Sequence, residues 1–220
     1  MQACRILARL LTYPDAEMMA ALPELEAAIV AEPAFGARER AGLLVLVREL
    51  AAADLIAAEE GYVALFDRAR SLSLHLFEHV HGDSRARGQA MVDLLELYRR
   101  RGLDLAANEL PDYLPVFLEF LSLLPADEAA DLIDDAGDVL DALHGRLVKR
   151  GSAYAAVFRA LLAMAGRKPS SQPAEEEDDS PEALDRAWEE QAVTFVGAEA
   201  PQADGACAKA GAILARMNKN

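Results

Sequence analysis

The chain has 220 residues and a formal charge of −15, from 22 basic and 37 acidic side chains. This charge disfavours nucleic acid or an anionic lipid surface as the main partner, because both are densely negative. Hydrophobic residues make up 53% of the chain and aromatic residues only 6%, with Ala and Leu supplying the excess. That bias favours helices over a β-sandwich or a β-barrel.

Hydrophobic periodicity predicts helices throughout the first 165 residues. Cys4, Leu7, Ala8 and Leu11 follow the i, i+3, i+4, i+7 spacing of one helical face, and this helix ends before Pro14. Further helices are predicted over residues 18–31 with a bend or restart at Pro23, 38–58, 62–67, 72–80, from a cap at 83 or 84 to 101, 113–124 with Pro111 at the first turn, 127–149 and 154–165. The expected fold is all-α, a single compact multi-helix domain over residues 1–165.

The composition changes after residue 165. Residues 166–181 hold the acidic run 175–179 and no apolar period, which predicts a flexible acidic linker. Residues 182–220 are expected to be a C-terminal tail with short helices. No uncharged apolar run approaches 18 residues, and the first residues are not expected to form a signal peptide. With two lone cysteines, Cys4 and Cys207, the chain is expected to be cytoplasmic and without stable membrane association.

The negative charge is concentrated in two segments. Residues 127–141 hold seven acids and no base, and residues 174–190 hold nine acids and one base. The first segment forms an acidic face on its predicted helix, at Asp127, Asp131, Asp134, Asp135 and Asp138. Acids spaced i, i+4 repel one another by a few tenths of a kcal/mol per pair. The acidic face is therefore either a solvated surface or a steering surface for a basic partner.

One short motif matches a zinc hydrolase signature. His75, Glu78 and His79 form the pattern H-x-x-E-H, in which two histidines on one helical face bind the metal and the glutamate acts as a base. A zinc-dependent hydrolase is therefore an alternative function, although a five-residue pattern also arises by chance. Neither G-x-S-x-G nor a phosphate-binding glycine loop is present. The main interpretation has no catalytic residue, no metal and no cofactor.

Three helix junctions between residues 62 and 124 place charged or hydrogen-bonding side chains beside apolar ones. If these junctions meet in space, they form a groove with apolar walls and an acidic rim, which suits a peptide carrying basic and apolar residues. The candidate groove residues are Asp67, His79, His81, Asp83, Arg85, Glu109, Pro111, Asp112 and Tyr113. The alternative is that these side chains only cap helices and contact solvent.

The same junctions carry a family resemblance. The blocks concerned are residues 62–68, 76–85, 87–95, 109–115 and 117–121. They resemble the NarJ family, the nitrate reductase delta subunits within the TorD/DmsD group of redox-enzyme maturation chaperones. Residues 109–113 look like the E-P-x-D-H loop that this wider group uses in leader recognition, with Tyr113 in place of histidine.

The resemblance implies an all-helical chaperone rather than an enzyme. Its implied partner is the apo catalytic (alpha) subunit of respiratory nitrate reductase, bound at its basic, amphipathic N-terminal segment. Such a chaperone allows molybdenum cofactor insertion, delays membrane docking and is absent from the final enzyme. Molybdenum cofactor delivery proteins are further candidate partners. A generic acidic helical adaptor, with no link to redox enzymes, remains another alternative.

Overall fold

The computed structural model describes residues 1–81, 85–105 and 109–170. Within these ranges the all-α prediction is confirmed. The α-helices are α1 (Gln2–Leu11), α2 (Ala16–Ala20), α3 (Leu22–Ala31), α4 (Ala37–Ala52), α5 (Leu55–Tyr62), α6 (Leu76–His81), α7 (Arg85–Arg100), α8 (Leu114–Ser122), α9 (Ala126–Asp135), α10 (Gly137–Lys149) and α11 (Ala155–Met164). The predictions for Asp83, for most of the acidic linker and for the tail lie outside the described residues.

Three of the predicted helices restart or break within their length. Pro23 restarts a helix as predicted, because it lies in the first turn of α3, where a missing amide costs nothing. The single helix predicted over residues 38–58 is wrong. Asp54 caps α5, its carboxylate accepting a 2.8 Å hydrogen bond from the amide of Ala57. The helix predicted over residues 127–149 is likewise two helices, α9 and α10, with the break at Ala136.

The helix predicted over residues 72–80 is also wrong in its first half. A π-helical turn (Val63–Asp67) and a 3₁₀ turn (Arg70–Leu72) lead into an extended segment, and α6 begins only at Leu76. His75 in that segment forms an isolated antiparallel bridge with Tyr113. The amide of Leu114 donates to the carbonyl of Leu74 at 2.8 Å. Pro111 lies just before the bridge, in a turn that the hydrogen bond from the amide of Tyr113 to the carbonyl of Leu110 closes at 3.1 Å, rather than in the first turn of a helix.

Helix α1 lies at the centre of the core. Seven of its ten residues are buried, and it packs against α8 as well as α3 and α11. Helix α11 in turn packs against α4, α9 and α10. None of the helices in the described ranges is both long and apolar enough to cross a bilayer.

The chain turns back on itself after α11. Gly166 has a left-handed φ of 71°, and the amide of Arg167 donates to the carbonyl of Leu162 at 2.8 Å. This pattern is a glycine-terminated helix end. It returns the chain to α10, where the amide of Ser170 donates to the Asp141 carboxylate at 2.8 Å. Residues 166–170, which the sequence analysis places in the linker, therefore contact the helical domain.

Candidate functional site

Asp112 connects two of the predicted junctions from inside the protein. Its side chain is fully buried. One carboxylate oxygen accepts a 3.3 Å hydrogen bond from the amide of Phe77, and the other lies 3.3 Å from Nδ1 of His75. The guanidinium of Arg87 lies 3.7 Å from the same carboxylate and 3.1 Å from that of Glu78. In this conformation Asp112 holds residues 73–77 against residues 110–114 and presents no surface to a ligand.

The zinc-hydrolase motif does not form the geometry that zinc binding requires. His75 precedes α6, so it is not one helical turn from His79 on a common face. His75 contacts Asp112, Glu78 pairs with Arg87, and Nε2 of His79 lies 2.8 Å from the carbonyl of Ser73. Across residues 1–81, 85–105 and 109–170, no group of three His, Cys, Asp or Glu side chains is arranged to hold a metal.

Three tyrosines from distant parts of the chain meet near these junctions. We call Tyr13, Tyr62 and Tyr113 the tyrosine patch. The hydroxyl of buried Tyr62 donates to the carbonyl of Leu11 at 2.8 Å. Because that uses its single hydrogen, the hydroxyl of Tyr113, 3.0 Å away, donates to Tyr62. The ring of Tyr13 meets Tyr62 edge-on at 5.6 Å and remains 44% exposed. The patch therefore has a rigid base and an open aromatic surface.

Acidic side chains surround the tyrosine patch. Desolvation raises the pKa of Tyr13, and the negative charges of Glu59 and Asp67 raise it further. Desolvation also raises the pKa of Tyr113, with Asp67 and Glu109 adding to the effect. Aromatic faces next to carboxylates favour a ligand that is apolar on one side and positively charged on the other.

The structure brings together some of the predicted groove residues and separates others. Asp67, Glu109 and Tyr113 belong to the tyrosine patch or its acidic surroundings. The carbonyl of Pro111 accepts a 2.8 Å hydrogen bond from the buried hydroxyl of Tyr98. The remaining predicted residues behave as follows: Asp112 is buried, His79 contacts the carbonyl of Ser73, His81 packs on Phe77 with ring centroids 5.8 Å apart, and Arg85 begins α7.

Sequence reasoning missed Tyr13, Glu59, Tyr62 and His75 as parts of this site. The ring of His75 packs on Tyr113 with centroids 5.3 Å apart. The chain has only five tyrosines, of which three form the patch and a fourth, Tyr154, packs edge-on against Tyr62 with ring centroids 6.4 Å apart. Their scarcity was the one available signal, because the contacts join residues 51 positions apart.

The acidic face is partly covered by the chain itself. Arg167 donates to Asp138 at 2.9 Å and also forms an ion pair with Asp134. The side chain of Arg167 passes over Gly137, where any larger residue would collide with it. Asp127 and Asp131 are exposed, and Asp135 is half-buried. The free acidic stripe expected from the sequence is therefore smaller than the five-residue pattern indicates.

Comparison with known families covers most of this arrangement. The family model of the nitrate reductase delta subunit matches residues 13–160, from Tyr13 in the tyrosine patch to a point within α11. The chain belongs to the nitrate reductase delta subunit family. The resemblance to the NarJ family is thereby confirmed.

Relatives from two bacteria align with most of the chain. It is 44% identical over 196 residues to NarJ of Escherichia coli K12, a nitrate reductase molybdenum cofactor assembly chaperone, over 86% of this chain and 83% of that protein. It is 40% identical over 210 residues to NarW of the same strain, a probable chaperone of the same kind. The alignment covers 93% of this chain and 88% of that protein. The probable NarJ of Bacillus subtilis is 33% identical over 155 residues, which cover 70% of this chain and 83% of that protein. These relatives are named as assembly chaperones, not as catalysts.

Proposed function

We propose that the protein is a chaperone for the assembly of a respiratory nitrate reductase. It binds the apo catalytic (alpha) subunit in the cytoplasm at a basic, amphipathic N-terminal segment. Binding keeps that subunit open for molybdenum cofactor insertion, with the cofactor delivery proteins as further partners, and delays its docking to the membrane. The chaperone is released before the enzyme is complete. Family membership and the names of the relatives support the assembly role.

The observation that carries the binding part of this proposal is the tyrosine patch with its acidic surroundings. Apolar side chains of the client segment pack on the rings of Tyr13 and Tyr113, and its Lys or Arg side chains lie near Glu59, Asp67 and Glu109. A cation over an exposed aromatic face contributes about 0.5–1 kcal/mol. Most of the affinity comes from the buried apolar contacts, while the carboxylates at the rim mainly raise the association rate.

The base of the patch is built to keep its shape. Tyr62 is fixed through Leu11 on one side and Tyr113 on the other, and its ring also packs against Phe66, with centroids 4.9 Å apart. Asp112 fixes the segment that precedes Tyr113. The patch therefore needs little rearrangement on binding, which lowers the entropic cost of association. The exposed Asp127 and Asp131 of the acidic face add long-range attraction for a basic segment.

Calorimetric titration of the full chain with a peptide of the first fifteen residues of the catalytic subunit from the same cell tests this proposal. We expect saturable one-site binding. Tyr13→Ala should weaken it about tenfold, as truncation of a hot-spot aromatic residue does. Val45→Ala is the control, because Val45 is 47% exposed and lies on α4. Equal affinities of the two variants would remove the tyrosine patch from the proposal.

The acidic surroundings are tested with a second pair of variants. Asp67→Asn with Glu109→Gln should slow association and reduce its dependence on salt, because two attracting charges are lost. Asp93→Asn with Glu96→Gln is the matched control, since both residues lie on α7, where Glu96 is exposed and Asp93 half-buried. Equal binding of a peptide with the same composition in scrambled order would favour the generic acidic adaptor. Stoichiometric zinc in the purified protein would favour the hydrolase.

A further inference from the structure

A cavity of about 380 Å³ lies between α1 and α8, beside the tyrosine patch. We call it the α1–α8 cavity. Its volume is within the range of sites that hold a ligand side chain or a small molecule. Helices α1 and α8 each contribute two residues to the lining, and the residue just after each helix adds one more. One residue of the loop after α7 completes the lining. The lining residues are Arg5, Arg9, Thr12, Leu103, Glu119, Ser122 and Leu123.

The α1 side of the cavity is positively charged. Helix α1 carries Arg5 and Arg9 and no acidic residue. Arg9 is 3.7 Å from Asp15, and the exposed fractions of the two side chains are 32% and 56%, so solvent weakens this ion pair. None of the hydrogen bonds or ion pairs of the described residues involves the guanidinium of Arg5. Its donors are therefore available to a ligand.

Glu119 limits which anion the cavity can take. Desolvation raises the pKa of Glu119, and the charge of Glu109 raises it further, while Arg5 and Arg9 lower it. Two guanidinium groups and one carboxylate leave a net charge of about one positive unit, which matches a carboxylate. A carboxylate neutralises this charge, whereas a phosphate dianion would leave a net negative charge beside Glu119. The hydroxyl of Thr12 already donates to the carbonyl of Arg9 at 2.8 Å, and that of Ser122 donates to the carbonyl of Glu119 at 2.6 Å. The donors that the cavity offers to an anion are therefore the guanidinium groups of Arg5 and Arg9.

The cavity and the tyrosine patch are adjacent. Thr12 lines the cavity and the next residue, Tyr13, belongs to the patch. Glu109 acts electrostatically on both Tyr113 and Glu119. A segment bound on the patch therefore has further side chains within reach of Arg5.

We propose that the α1–α8 cavity binds the carboxylate of an Asp or Glu side chain in the same client segment that lies on the tyrosine patch. Basic side chains of the segment lie toward Glu59, Asp67 and Glu109, and the acidic side chain lies toward Arg5 and Arg9. The basic and the acidic side chains of the segment are thus attracted to opposite ends of this surface. The segment therefore binds in one direction only. This inference rests on the proposed function, because it concerns the same client.

A double-mutant experiment tests the cavity. In one peptide series, Glu replaces each position of the fifteen-residue client peptide in turn, and in the matched series Gln does so. Each peptide is titrated into the wild-type chain, Arg5→Gln and the control Arg48→Gln. Arg48 lies on α4 and is 68% exposed, and its pair with Glu26 at 3.6 Å is far from ideal. Arg5 is also exposed, and circular dichroism and thermal unfolding verify that all three proteins fold alike.

We expect one position at which Glu binds the wild-type chain about tenfold more tightly than Gln, as for a hydrogen bond to a charged group. That preference should disappear in Arg5→Gln and persist in Arg48→Gln. A preference that persists in Arg5→Gln, or no preference at any position, overturns the inference while leaving the proposed function intact. Failure of every peptide to bind the wild-type chain defeats the proposed function instead. Displacement of the best Glu peptide by inorganic phosphate but not by acetate would assign the cavity to a phosphate and overturn the carboxylate.

Discussion

The buried carboxylate of Asp112 accepts a hydrogen bond from the backbone amide of Phe77, 35 residues earlier in the chain. The carbonyl of the same residue accepts one from the amide of Leu76 at 3.0 Å. Two contacts from one residue therefore tie the start of α6 to the segment before Tyr113. The position of Tyr113 in the tyrosine patch depends on this connection.

Replacing Asp112 with alanine should destabilise the fold. Asp112→Ala leaves the Phe77 amide without its acceptor and removes the acidic partner of His75, so the free energy of unfolding should fall by about 2–3 kcal/mol. Urea unfolding followed by circular dichroism measures the change. Asp104→Ala is the control, because Asp104 is exposed. If both variants unfold at the same urea concentration, Asp112 has no structural role.

The Tyr62 hydroxyl should contribute more to stability than the Tyr113 hydroxyl. Tyr62→Phe removes both the bond to the Leu11 carbonyl and the acceptor for Tyr113, whereas Tyr113→Phe leaves the bond between Tyr62 and Leu11 intact. We expect a loss of about 1–2 kcal/mol for the first variant and less for the second, since each net hydrogen bond contributes about 1 kcal/mol. Thermal unfolding of the two variants compares them directly. A larger loss for Tyr113→Phe would contradict the donor assignment.

His144 should make stability depend on pH. Its imidazole is buried, and its Nε2 has no hydrogen-bond partner among residues 1–81, 85–105 and 109–170. Desolvation, followed by the charge of Arg159, lowers its pKa. The unfolded chain then binds a proton near pH 6.5 that the folded chain does not. Stability is therefore retained above pH 6.5 and falls as the pH decreases toward the lowered pKa of the folded state.

Urea unfolding at pH 7.5 and 5.5 tests the role of His144. The wild-type chain should lose more stability between these pH values than His144→Gln does. Identical losses would show that other groups, such as the neighbouring Asp141, control the acid sensitivity.

The thiol of Cys4 should be inert in the folded protein. Cys4 is fully buried on α1, and burial raises its pKa to about 11, so the reactive thiolate is rare. In a Cys207→Ser background, a thiol reagent at pH 8 should modify Cys4 only as fast as the chain unfolds, and completely in urea. Rapid modification without denaturant would mean that α1 opens locally.

Helix α1 was predictable because its apolar spacing and the proline after it indicate the same helix, and the apolar face so predicted is the one that is buried. The extended segment before α6 was not predicted, although residues 71–76 alternate small or polar residues with leucine, the pattern of a strand. Neighbouring helical periodicity concealed this alternation. The break at Asp54 was missed because a capping aspartate in an apolar run looks like an exposed helical residue.

The candidate site was harder to predict because its contacts are between distant residues. Asp67, Glu109 and Tyr113 are found together, but the tyrosines that complete the patch come from α5 and the segment after α1. The burial of Asp112 depends on its pairing with Phe77, and a local motif cannot distinguish a buried carboxylate from one at a rim.

The ion pairs of Arg167 affect how shortened versions of the protein should be made. A chain cut after residue 165, where composition places the domain boundary, would lose the cation beside Asp134 and Asp138 and the amide that reaches Asp141. The exposed surface of α9 and α10 would then be more negative than in the whole protein. Such a truncated chain would attract basic peptides to carboxylates that Arg167 neutralises in the longer chain. A useful truncation should therefore retain residues up to Ser170.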